Sequence, residues 1–196
     1  VTPEDLRFRE IEHKFIVGDG FDLPRFRAQL NALGPVKTGA IQVRDRFFLT
    51  EASLARRVIF RHRYDAELHH LTLKGIGTDT EVRVEVNLDL GHHRGSQDAQ
   101  VDAFFDQLGV VWRGTLHKTI EVWHFEACEV VYYEAVADSV RVSCVEFEAT
   151  RKGSLQDALA TLARFEAATG FADATRSRVS LPQLVFPDLN QLLAGR

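Results

Sequence analysis

The sequence predicts an α+β fold, an eight-stranded antiparallel β-barrel with flanking amphipathic helices, formed by residues 1–196 as one domain. Three observations predict it. Most of the chain alternates polar and apolar residues with the period of a strand. A few segments carry an apolar stripe at helical spacing and stop at glycine. Turn-like segments such as YDAEL and KGIGTDT separate neighbouring strands in the manner of antiparallel hairpins.

Strands are expected at about residues 9–17, 36–50, 56–65, 68–75, 80–90, 110–123, 125–137 and 140–150. Helices enter after the first strand, after the fifth and at the end. DLPRFRAQLNALG opens on a capping Asp22, aligns Phe26, Leu30 and Leu33, and stops at Gly34. SQDAQVDAFFDQLG repeats the pattern with Val101, Phe104, Phe105 and Leu108 before Gly109. SLQDALATLARFEAATG begins with Ser154 and Asp157 in a capping-box-like arrangement and aligns Leu155, Leu159, Leu162 and Phe165 before Gly170. A short helix follows Pro187. Each is amphipathic, so each must cover a surface.

Composition excludes several classes. With 45% hydrophobic and 27% charged residues the chain is an ordinary globular sequence, not a disordered one. No run approaches the roughly 18 apolar residues a membrane helix needs, and the polar start VTPEDLRFRE is no signal peptide, so a cytoplasmic protein with no membrane partner is expected. A net charge of −4 gives no general pull toward nucleic acid, and any bound anion must be held by a local cluster of bases. Cys128 and Cys144 lie in strand-like stretches and read as buried thiols, not a disulfide framework.

The chemistry sits on the strands. In EIEHKFIV, Glu10, Glu12 and Lys14 share one face while Ile11, His13 and Phe15 share the other. The same spacing carries Arg61 and Arg63 in FRHRYD, Lys74 in LTLKG, Arg83 and Glu85 in EVRVEV, and Glu146 and Glu148 in VEFEA. The opposite faces are largely apolar: Phe60, Leu71, Leu73, Val82, Val84, Val145 and Phe147. With helices to cover the apolar faces, the ionic ones line the interior of a barrel wide enough for side chains or one small ligand. Unpaired charges there would cost several kcal/mol each, roughly. A polyphosphate bridged to a divalent cation neutralises both signs, because bases bind phosphate oxygens and carboxylates hold Mg²⁺ or Mn²⁺.

These motifs give the chain its resemblance to a known group. EIEHK is similar to the E-x-E-x-K signature that opens the CYTH domain, or triphosphate tunnel metalloenzyme, superfamily, and RHR, LTLKG, RVE and EFE follow in that family's order over roughly residues 8–190. The resemblance implies a barrel that binds a small-molecule triphosphate at its centre. Arg61, Arg63, Lys74 and Arg83 would then grip phosphate, with Lys14 and Lys118 contributing, while Glu10, Glu12, Glu146 and Glu148 supply the metal side. Glu10, Glu12, Lys14 and Lys118 form the catalytic set so implied. Glu134 in VYYEAV stands where the family usually has a metal-holding aspartate, Glu85 would orient neighbouring bases, and Arg176 and Arg178 in TRSRVS stand near a basic residue that closes over the tunnel in relatives.

One position departs from the pattern. In LHKTIEVW the family's arginine two residues after Lys118 is replaced by Ile120, which removes a bidentate phosphate contact and leaves Arg113 as an alternative. Three functions stay open: metal-dependent hydrolysis of inorganic triphosphate or of an organic one such as thiamine triphosphate, a class IV-like adenylate cyclase acting on ATP, and a module that binds polyphosphate or nucleotide without turnover. Other features carry less. His69–His70 and His92–His93 are adjacent pairs whose side chains diverge on a strand and make no zinc site. KGIGTDT lacks the phosphate-loop pattern. Trp112, Trp123 and the phenylalanines are expected to pack beneath helices.

Overall fold

The computed structural model describes residues 6–76, 82–172 and 175–195. Most of the hairpin expected at KGIGTDT, and the first five residues, lie outside these segments. The chain runs β1 (Arg9–Val17), α1 (Leu23–Ala32), β2 (Lys37–Thr50), α2 (Glu51–Ala55), β3 (Val58–Tyr64), β4 (His69–Gly75), β5 (Val82–Asp89), α3 (Asp98–Gln107), β6 (Val110–His124), β7 (Cys128–Ala137), β8 (Val140–Ala149), α4 (Leu155–Thr169), β9 (Arg176–Ser177), α5 (Leu181–Val185) and α6 (Pro187–Ala194). Short α2 and β9 were not legible in the sequence pattern. Neither buries a stripe long enough to show a period.

The strands form a closed ring in the order β5-β4-β3-β2-β6-β7-β8-β1, and β1 returns to β5 through Arg9↔Val84, Glu10↔Arg83 and Ile11↔Val82. Every pair is antiparallel. Closure removes the unpaired edges of an open sheet. Further along β1, where it has left β5, β9 takes the vacant edge at Lys14↔Ser177 and Phe15↔Arg176.

Helix ends follow the expected chemistry. Asp22 accepts a hydrogen bond from the Arg25 amide at 3.0 Å and Ser154 from the Asp157 amide at 3.1 Å, while Gly170 takes φ +82°, a left-handed value that glycine tolerates best. Helices α1 and α4 cover the outer faces of β1, β6, β7 and β8. Phe26, Leu30, Leu162 and Phe165 pack there with Ile11, Phe15, Trp123, Val130 and Phe147. Helix α3 covers β2 and β3, with the Phe105 ring stacked on Phe48 at 4.2 Å. Phe104, expected on that buried stripe, is instead 53% exposed. Its neighbour Phe105 fills the available groove.

The interior is divided. At one end α5 and α6 insert Leu181, Val185, Phe186, Leu189 and Leu193 among the inward side chains Phe47, Leu49, Leu116, Ala135, Ala137 and Cys144. Trp112 belongs to this plug, its ring 5.2 Å from Phe186 and its indole N–H bonded to Asp188 at 2.7 Å, whereas Trp123 lies under α1. Charged side chains occupy the remainder of the barrel. No helix of the described residues is long and apolar enough to cross a membrane.

Candidate functional site

A cavity of about 480 Å³ occupies the barrel beside the plug. That volume lies within the roughly 300–1,000 Å³ of small-molecule sites. Alternation on each strand decides what enters it. Strand β1 contributes Glu10, Glu12 and Lys14; β3 Arg61 and Arg63; β4 Lys74; β5 Arg83, Glu85 and Asn87; β6 Lys118; and β8 Glu146 and Glu148. Among the described residues, nine carboxylates and six lysine or arginine side chains line the space, so acids are in excess.

These charges are cross-linked. Lys74 bridges Glu10 at 2.8 Å and Glu85 at 2.9 Å; Lys14 bridges Glu12 at 3.2 Å and Glu146 at 3.1 Å; Arg83 reaches Glu12 at 3.2 Å. Burial opposes the charge on Glu12, but Lys14, Arg83 and Lys74 outweigh it and hold the carboxyl below its usual range. Glu148 goes the other way. Burial, then the neighbouring charges of Glu10, Glu12 and Glu85, raise its carboxyl well above the ordinary value, and burial with Glu12 and Glu85 raises Glu10 against the pull of Lys74. Surplus negative charge accumulates around those two groups.

Two members of the site were missed by sequence reasoning. Asp45, wholly buried, receives two 2.7 Å bonds from Arg63 and lies 3.2 Å from Lys118. Its signal was a single acid among Ile41, Val43 and Phe47 on one face of β2. Tyr133 on β7 donates to Glu146 at 2.6 Å, and Lys118 Nζ lies 5.0 Å above its ring. A further polar chain holds Arg61: its guanidinium donates to Thr72 at 3.2 Å, Thr72 to Asn87 at 2.7 Å, and Asn87 to Glu85 at 2.9 Å. Even so, the buried Nε atoms of Arg61 and Arg83 have no hydrogen-bond partner among the described residues. Both belong to side chains that face the cavity.

Four expected positions lie elsewhere. Glu134 projects from the outer side of β7 and pairs with Arg141 at 3.0 Å, because the inward parity of that strand belongs to Glu129, Val131 and Tyr133. It does not line the cavity. Arg176 turns beneath α4, where it donates to Glu166 at 3.1 Å, and Arg178 is exposed and does not line the cavity. Arg113 also faces outward, paired with Asp106 on α3. It does not replace the missing arginine.

Divalent cations suit the donors present, since Glu10, Glu12, Glu146 and Glu148 offer hard carboxylate oxygens in a space with excess acid. As they stand, no three histidine, cysteine or acidic side chains among the described residues are grouped closely enough to hold a metal ion. Lys14 stands between Glu12 and Glu146, and Lys74 between Glu10 and Glu85.

No protein-family model and no curated protein matches the sequence. Solved structures do. A Pyrococcus horikoshii OT3 protein matches with a TM-score of 0.69 and 15% identity, over 90% of this chain and 99% of that one. A Bacillus halodurans protein provisionally named an adenylate cyclase matches at 0.60 and 17%, over 91% and 99%. A Hippeastrum protein, provisionally named an adenylyl cyclase and described as having a dominant triphosphatase activity, matches at 0.50 and 17%, over 83% and 88%. The chain shares with these structures the fold of a closed antiparallel β-barrel with flanking helices. In this chain the ionic faces of the strands turn inward onto the charged cavity.

Proposed function

We propose that this protein is a divalent-metal-dependent phosphohydrolase that removes the terminal phosphate of a triphosphate. The observation that carries the reading is the convergence of Lys14, Arg61, Arg63, Lys74, Arg83 and Lys118 with Glu10, Glu12, Glu146 and Glu148 on one cavity. The unpaired Nε–H groups of Arg61 and Arg83 are donors suited to phosphate oxygens. The triphosphatase activity described for the Hippeastrum neighbour supports the same class.

Chemistry follows from these placements. Arg61, Arg63 and Lys118 hold the phosphate chain against the wall fixed by Asp45, while Lys14, Lys74 and Arg83 move from carboxylate to phosphate partners. Glu10, Glu12, Glu146 and Glu148 would hold Mg²⁺ or Mn²⁺, which when bound neutralises phosphate charge and lowers the cost of bringing water to phosphorus. Water attacks the terminal phosphorus, the bond to the bridging oxygen breaks, and diphosphate or an organic diphosphate leaves. Whichever of these carboxylates the metal leaves free would accept the proton of that water. The bases offset charge as it grows on the leaving oxygen.

Steady-state assays with tripolyphosphate, thiamine triphosphate and ATP, each with Mg²⁺ or Mn²⁺, test the reading. Orthophosphate release is the expected result. Arg61→Ala should raise KM and lower kcat, and Glu148→Gln should raise the metal concentration needed for half-maximal rate. Cyclic AMP with pyrophosphate from ATP would replace hydrolase by cyclase, and tight binding without any product would replace it by a binding module.

A further inference from the structure

Between Lys118 and the His124–Glu129 pair, one stretch of the cavity wall is apolar. Ile41 on β2 lies in register with Ile120 on β6, and Ile120 with Tyr133 on β7; one step nearer the mouth, Gly39, Val122 and Val131 form the next row. Ile41, Ile120, Val122 and Val131 all line the cavity, and Ile41, Val122 and Val131 keep part of their surface exposed although they face the barrel interior. Ile120 belongs to the plug's apolar cluster and Ile41 and Val131 pack against it, so the wall extends that cluster past Lys118 as far as Val122. Apolar side chains left uncovered beside a charged site are a surface for an apolar group to bury.

The two surfaces meet along one strand. Lys118 and Ile120 occupy successive inward positions on β6, so their Cα atoms stand roughly 7 Å apart. Tyr133 spans the junction, its ring beneath Lys118 and its hydroxyl on Glu146. Gly39 adds depth: a methyl group built there would meet Val122 at 3.5 Å, so its absence leaves the aliphatic face of Val122 open. A phosphate chain held by Lys118 and Arg63 would therefore project whatever is attached to it along Ile120 toward Val122.

We infer that the triphosphate this cavity takes is an organic one, with a flat, largely apolar substituent that packs on Ile41, Ile120, Val122 and Val131 while the phosphates lie among the bases. The inference rests on the triphosphatase reading above and narrows it. An inorganic triphosphate would leave that wall facing water. The same departure that removes a guanidinium at position 120 provides the surface that an organic group requires.

The test compares kcat/KM for tripolyphosphate with that for ATP and for thiamine triphosphate, in the intact protein and in Val122→Ser and Ile41→Ser. The intact protein should favour at least one organic substrate, and each substitution should lower the organic-to-inorganic ratio on the order of tenfold, the scale of losing apolar contact in a pocket. Both positions are partly exposed, which limits any effect on folding, and the preference of the intact protein is itself a readout. Tripolyphosphate used as well as or better than both organic substrates, or a ratio unmoved by the substitutions, overturns the inference while leaving the triphosphatase reading in place. Failure to hydrolyse any of the three overturns the reading and the inference together.

Discussion

Asp45 and Arg63 meet through two N–H···O bonds of 2.7 Å inside the barrel, and the same carboxylate lies 3.2 Å from Lys118. Burial works against this charge, yet Arg63 and Lys118 together hold the Asp45 carboxyl far below the usual range. One acid thus fixes two of the bases that face the cavity. Asp45→Asn keeps the shape and removes the charge, leaving two buried cations without their counter-ion. Unfolding in urea should show a loss of about 3–5 kcal/mol, the scale of breaking a buried pair. Tripolyphosphate should recover part of it, since bound phosphate supplies negative charge to the same bases.

Lys118 gives the site a pH limit. Burial, with help from the Arg63 and Arg61 charges, lowers its pKa to about 8 in spite of Asp45. The ammonium is present below that value and is lost above it, so phosphate contact weakens as pH rises. For the free protein, kcat/KM should fall on the alkaline side with an apparent pKa near 8. In Lys118→Arg the guanidinium stays charged, and the limb should vanish from the range below about pH 10. A limb that stays put in this variant would assign the titration to another group.

Much of this was legible in the sequence because period two is unambiguous where each inward residue is charged. β1, β3, β5 and β8 show this, each placing its acids and bases at alternate positions on the cavity wall. Where the inward face mixes characters, the signal fails. Strand β2 puts Asp45 between Val43 and Phe47, so its one acid looked incidental, although it anchors Arg63. On β7 the glutamate at 134 carried the right charge at the wrong parity, and the inward Tyr133 carried a hydroxyl that no charge pattern marks. The apolar plug was hidden for a different reason. Its inward residues are hydrophobic on strands that elsewhere turn charge inward, and only the position of α5 and α6 makes that arrangement stable.

Parity makes Glu134 and Glu148 a matched pair of controls. Both are glutamates on adjacent strands, one joined to Arg141 outside the barrel and the other facing the cavity. Glu134→Gln should change stability by less than about 1 kcal/mol, as expected for an exposed ion pair, and leave the metal requirement as it was. Glu148→Gln should raise that requirement. Titrating Mn²⁺ against initial rate in both variants measures the contrast, and equal shifts would mean that Glu134 reaches the metal after all.

Glu166 supports the site from behind. This buried residue of α4 accepts a bond from His13 Nδ1 and another from Arg176 at 3.1 Å, and so ties α4 and β9 to the outer face of β1. His13 lies between Glu12 and Lys14 in sequence and points away from them, so α4 braces the strand that carries two acids and a base into the cavity. Arg176→Met removes the cation but keeps the packing of its stem; Glu166→Gln removes the charge that both partners share. Each should lower the urea midpoint, with Glu166→Gln costing more, about 3–5 kcal/mol, because it removes the buried carboxylate charge that His13 and Arg176 both contact. KM for triphosphate should stay within about twofold in Arg176→Met, since this arginine faces α4 and not the cavity. A tenfold or larger rise in KM at unchanged stability would return Arg176 to the phosphate site.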